Sequence, residues 1–179
     1  MALGPTPSQT VGPFFHLGLV DPGGPTPLGT GMVGRLVIRG SVCDGATDPV
    51  DDALVEIWHA GPDGRFPAPS ELGGGFGRAA TGGEGTFEFT IVKPGPFPDA
   101  TGRIQAPHVN VSIFARGLLK RLVTRIYFPD EAAANRIDPV LASIGDPEAR
   151  STLIAEPDGE AIRFDIHLQG SLETVFFAL

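Results

Sequence analysis

The stretch Gln105-Ala106-Pro107-His108-Val109-Asn110-Val111-Ser112-Ile113-Phe114-Ala115-Arg116 decides how the rest of the chain is read. β-Branched residues fall on alternate positions from His108 to Phe114, the period of a half-buried strand. Val109, Val111 and Ile113 then point to one face, and His108, Asn110, Ser112 and Phe114 to the other. Two imidazoles at i and i+2 on one face of a strand would make half a metal site. Here the amide of Asn110 stands where the second imidazole would be.

Outward from this strand the same period recurs. Residues 35–42, 53–59, 86–92 and 120–128 read as strands, and Asp158-Gly159 as the tight turn of a hairpin between 153–156 and 161–168. Residues 67–77 are rich in glycine and predict no element. Pro94, Gly95, Pro96 and Pro98 exclude both a helix and a central strand. Helix is expected only within 129–152, where 130–135 makes a turn or two and Asp138-Pro139 opens another. About seven or more short strands joined by turns predict an all-β chain: a β-sandwich with one or two short helices. Residues 1–34, full of Pro and Gly, predict an extended arm anchored by Phe14 and Phe15. One domain is expected over 1–179, with no repeat and no linker. The apolar end, 172–179, must complete the core or meet a partner chain.

The net charge of −8 and a pI near 4.8 argue against nucleic acid and anionic membrane surfaces as partners. With one cysteine, Cys43, no internal disulfide is available, and a buried structural thiol is expected. The first residues lack a basic and apolar leader pattern, and no apolar run reaches membrane length, so a cytoplasmic protein is expected. There is no phosphate-cradling loop, nucleophile elbow or cysteine cluster. The four histidines are scattered singly. His16 reads as a loop residue, His108 as a satisfied core residue, and His167 as a surface residue.

Four motifs then occur in a fixed order. They are Thr10-Val11-Gly12-Pro13-Phe14-Phe15; Val55-Glu56-Ile57-Trp58-His59-Ala60-Gly61-Pro62-Asp63-Gly64-Arg65-Phe66; Lys93-Pro94-Gly95-Pro96-Phe97-Pro98; and Ala106-Pro107-His108-Val109-Asn110. Their order and spacing resemble the intradiol ring-cleavage dioxygenases over most of residues 8–179. The resemblance implies that fold and a non-haem ferric ion, Fe(III), held by two tyrosinates and two histidines. Carried over, the ligand positions fall on Phe66, Phe97, His108 and Asn110, so three of the four ligands are absent. A phenyl ring has no oxygen to offer, and an amide is a poor transition-metal ligand beside imidazole. The resemblance thus implies no metal on this chain.

Family members that cleave protocatechuate pair an alpha and a beta chain of like fold, with iron on the beta chain only. The resemblance implies the iron-free role in such a hetero-oligomer, in aromatic-compound catabolism through the beta-ketoadipate pathway, with no catalytic residue of its own. It further implies that Thr10, Gly12, Pro13 and Arg125 line the partner's substrate site. Arg121, on the same strand face, is the rival to Arg125. Gln105 stands where catalytic chains carry an arginine. Two other readings compete. One is a non-enzymatic sandwich module that binds a sugar or protein and shares only the fold. The other is a self-sufficient hydrolase or metalloenzyme using His59, His108 and an acid.

Overall fold

The computed structural model describes residues 4–12, 18–20, 34–66 and 75–178. Among them, alternation of apolar residues builds eleven strands: β1 (Arg35–Cys43), β2 (Leu54–His59), β3 (Phe76–Ala80), β4 (Thr86–Val92), β5 (Phe97–Pro98), β6 (Ile104–Gln105), β7 (His108–Phe114), β8 (Leu122–Tyr127), β9 (Glu156–Asp158), β10 (Ala161–Arg163) and β11 (Ile166–His167). β1 pairs antiparallel with β4 along one edge and parallel with β10 and β11 along the other, and β9 lies beyond β10. The second sheet runs β3-β2-β7-β8, antiparallel throughout. Ile38, Phe89 and Ile91 from the first sheet meet Val55, Ile57, Val111 and Ile113 from the second in one buried cluster. This is the expected all-β sandwich.

Three local expectations are corrected. Residues 76–80 form β3, where no element is expected over 67–77. Glycine and alanine carry little strand preference, and this edge strand is held by its ladder to β2, from Trp58↔Phe76 to Leu54↔Ala80. The expected strand 161–168 is split into β10 and β11. Between them Phe164 presses its carbonyl onto Gly40, where a Cβ would overlap it, and Asp165 accepts hydrogen bonds from the Ser41 amide (2.9 Å) and hydroxyl (2.8 Å). Cys43 is half-buried rather than buried.

The helices follow the Asp-Pro signals. A 3-10 turn, Pro129–Glu131, leads into α1 (Ala132–Ile137); α2 (Pro139–Ser143) and α3 (Pro147–Ser151) come next. α2 is capped by Asp138 and α3 by Asp146, each followed by proline at the first helical position. That repeated device adds a third short helix to the one or two expected. Beyond β11 the apolar end lies along β8: the Phe177 amide donates to the Val123 carbonyl (2.8 Å), and Phe176 packs on the main core. His167 is half-buried there, its amide donating to Thr174 Oγ1. Pro13, Phe14, Phe15 and His16 lie outside the described residues. No helix among the described residues is long and apolar enough to cross a membrane.

Candidate functional site

Two glycines bring the second and third motifs together. Gly64 has φ +74°, the left-handed region open to glycine, and a Cβ there would strike the Pro96 carbonyl. A Cβ on Gly95 would likewise strike the Pro62 carbonyl. The Gly61 carbonyl accepts from both the Gly64 and Gly95 amides (2.9 Å each). This interlock sets the ring of Phe66 edge-on to that of Phe97, 5.1 Å between centroids.

The rings continue on both sides. Phe66 stacks on Trp58 at 6.0 Å, Phe97 meets His108 at 4.9 Å, and His108 meets Tyr127 at 5.4 Å. His108 heads β7, directly opposite Tyr127 on β8, and is fully buried. Its Nδ1 donates to the Ala106 carbonyl (2.8 Å), which leaves Nε2 as a bare lone pair. That Nε2 is buried with no hydrogen-bond partner among the described residues, so His108 is only half satisfied by them, where the sequence reading expects a satisfied residue. Burial, with the charge of Arg125 second, lowers its pKa to about 4, so the ring is neutral at neutral pH. Asn110 sits two residues on, its Nδ2 donating to the Trp58 carbonyl at 3.3 Å.

Phe66, Phe97 and His108 thus form one run of rings, and Asn110 lies two residues along β7 on the same face as His108. They do not fit a ferric ion: the set offers one free imidazole nitrogen, an amide already engaged, and two rings without oxygen. Among the described residues no cluster of three or more His, Cys, Asp or Glu is placed to hold a metal. His59 pairs with Val109 and shares its face, whereas His108 faces the other way. Two imidazoles on opposite faces of one sheet cannot make a common site.

Beside this patch lies a polar one. Arg125 on β8, opposite Asn110, donates from Nη1 to Gln105 Oε1 (2.7 Å) and to the Tyr127 hydroxyl (3.2 Å), and its guanidinium lies 5.8 Å from the Phe177 ring centroid. Tyr127 donates to Asp138 Oδ1 at 3.1 Å. Burial raises the Tyr127 pKa, outweighing the pull of Arg125, so the phenol keeps its proton. Asp138 also accepts from the Ala106, Val140 and Leu141 amides (2.8, 2.9 and 2.9 Å), joining β6–β7 to the start of α2. Asp138-Pro139 announced a helix cap in the sequence, but its bonds to Tyr127 and Ala106 are tertiary and left no local signal.

The arm reaches the far end of the β7–β8 pair. Thr10 Oγ1 accepts from the Gly117 amide (2.8 Å), and Gln9 and Val11 line a cavity of about 210 Å³ with Phe114, Leu118 and Arg121. Roughly 13 Å of strand, four residues at about 3.3 Å each, separates the level of Asn110 from Phe114. Thr10 and exposed Gly12 are thus not beside Arg125 within one chain, and Arg121, exposed, is the arginine nearer the arm.

A two-sheet sandwich whose interlocked Gly64 and Gly95 loops face a His-x-Asn strand defines the class, and comparison with known proteins agrees. A family model described as Dioxygenase matches residues 24–170; the chain belongs to the intradiol ring-cleavage dioxygenase family. It is 42% identical to the protocatechuate 3,4-dioxygenase alpha chain of Pseudomonas putida, over 96% of this chain and 95% of that one. The protocatechuate 3,4-dioxygenase beta chain of Burkholderia cepacia is 34% identical over 76% of this chain and 65% of its own length. Among solved structures, hydroxyquinol 1,2-dioxygenase from Pseudomonas putida superposes with TM-score 0.63 at 20% identity, over 90% of this chain and 65% of that one.

Proposed function

We propose that this chain, one domain over 1–179, is the alpha subunit of a heteromeric protocatechuate 3,4-dioxygenase and that its partner is a beta chain of like fold. The complex inserts both atoms of dioxygen between the two hydroxyl-bearing carbons of protocatechuate, giving 3-carboxy-cis,cis-muconate. Fe(III) would belong to the beta chain. The observation that supports this reading is the residue set itself: Phe66, Phe97 and His108 form one run of rings with Asn110 on the same strand face, and Phe66, Phe97 and Asn110, which the resemblance aligns with iron ligands, offer no free donor for a ferric ion. A chain that keeps the family's loops but not its donors supports a role in shaping a partner's site. The sequence of the Pseudomonas putida alpha chain, similar along nearly its whole length, supports the same role.

In this reading Thr10, Gly12, Pro13 and Arg125 contribute to the substrate site of the complex. A guanidinium can hold the carboxylate that distinguishes protocatechuate from catechol through two parallel hydrogen bonds. The test is to co-express this chain with a beta chain and to assay the complex. An iron-containing hetero-oligomer active on protocatechuate is expected, and activity or stoichiometric iron in this chain alone would overturn the reading. In the complex, Arg125→Ala should remove about 1.5–3 kcal/mol of binding, roughly ten- to hundred-fold in kcat/KM for protocatechuate, and spare catechol. Equal loss on both substrates would mean that Arg125 holds the interface rather than the carboxylate.

A further inference from the structure

The described residues include four half-buried cations, and they divide in two. Arg78 and Lys93 each make an ion pair with a carboxylate, as does exposed Arg39; Arg150 and Arg125 have only neutral acceptors, Arg150 donating to the Ile144 carbonyl at the end of α2. Arg125 makes no ion pair with any described residue, although the chain carries a net charge of −8. Its side-chain acceptors are both neutral: the Gln105 amide oxygen and the Tyr127 hydroxyl. The one carboxylate nearby, Asp138, is reached only through Tyr127, and its oxygens are taken up by that hydroxyl and three backbone amides.

Both bonds of Arg125 come from Nη1. The opposite edge of the fork, Nη2 with Nε, makes no hydrogen bond to a described residue. That edge is the one suited to a bidentate carboxylate. Gln105, 5% exposed, is a rigid support rather than a wandering surface side chain. A carboxylate at position 105 would anchor the same nitrogen more strongly but cancel the charge.

We propose that Gln105 and Tyr127 are positioning residues that hold Arg125 with neutral acceptors, so that its Nη2–Nε edge presents an uncancelled charge to the substrate's carboxylate. This rests on the reading of Arg125 given above. The need for charge explains why an amide serves at position 105: it fixes the guanidinium without competing for it.

The experiment uses the assembled alpha–beta enzyme carrying Gln105→Glu, beside Arg125→Ala as reference, with KM and kcat measured for protocatechuate and for catechol. Gln105→Glu should raise KM for protocatechuate about tenfold, leave kcat within about twofold, and leave catechol unchanged. Gln105→Leu, which removes the acceptor without adding charge, should raise the same KM by a smaller factor, about threefold. If the glutamate variant fails to assemble, the leucine variant carries the test, and an unchanged protocatechuate KM overturns the proposal. Should Arg125→Ala raise that KM while Gln105→Glu does not, the cradle falls and the Arg125 reading stands. If neither variant moves it, both fall. A loss shared equally by catechol would make position 105 a structural support only, which also overturns the proposal.

Discussion

At the His108–Tyr127 end of the β7–β8 pair, two adjoining patches bury polar atoms in opposite ways. Around Phe66 and Phe97 a run of aromatic rings leads to His108, one nitrogen of which has no hydrogen-bond partner among the described residues. One side chain away, Arg125, Tyr127 and Asp138 form a hydrogen-bonded chain in which both buried members, Tyr127 and Asp138, are satisfied and half-buried Arg125 leaves one edge open. An unpaired buried acceptor costs free energy, roughly 1–3 kcal/mol, so the first patch carries a debt the second does not. The difference separates two ways of holding one sheet end: the first patch is held by ring packing, the second by hydrogen bonds.

The sharpest way to break this comparison is to remove Asp138. It is fully buried, and alanine there leaves the Tyr127 hydroxyl and the Ala106, Val140 and Leu141 amides without their acceptor. Asp138→Ala should cost about 3–5 kcal/mol in urea unfolding. Phe97→Ala, in the half-buried aromatic patch, should cost about 2 kcal/mol, less than a full core Phe. Equal costs would mean that the polar network is no more important to the fold than the rings.

The second test is pH. The folded pKa of His108 lies near 4, below the 6.5 of an unperturbed histidine. Between those values the unfolded chain takes up a proton that the folded chain refuses. Stability is therefore fully present above about pH 6.5, falls as the pH drops, and levels off below about 4. The loss attributable to His108 is about 3 kcal/mol. Burial lowers His59 in the same direction, so it adds to the slope. Unfolding midpoints at pH 7.0 and 4.5 should differ much less in His108→Leu than in the native chain. An unchanged difference would assign the acid sensitivity to other groups.

Much of this was legible in the sequence, for reasons that differ by element. β7 and β4 alternate apolar residues with period two, a pattern that no helix of the chain shares. β3 does not, because Gly77, Ala79 and Ala80 take their strand geometry from β2 rather than from themselves. The lack of oxygen donors at Phe66 and Phe97 was readable because a phenylalanine lacks oxygen in any fold. The Arg125 network was not. Asp138 and Ala106 are 32 residues apart and Gln105 and Arg125 are 20, so only the folded register brings them together.

The smallest expected effect on stability comes from restoring the family's ligands. Phe66→Tyr, Phe97→Tyr and Asn110→His together add two phenols and an imidazole beside the bare Nε2 of His108. Phe66 is 40% exposed, and Phe97 and Asn110 are half-buried, so the new polar atoms can reach water. The unfolding free energy should change by about 1 kcal/mol or less. Elemental analysis should find more ferric iron in the variant than in the native chain, but ring cleavage should stay far below that of an assembled alpha–beta enzyme. Arg125 is the reason. Its charge already lowers the proton affinity of His108, and the same repulsion acts on a trivalent cation bound to that nitrogen. Adding Arg125→Ala to the triple variant should therefore tighten iron binding. If the triple variant turns over at the full rate with Arg125 in place, the ligands alone had been lost; if it binds no iron at all, the rings have closed the site as well.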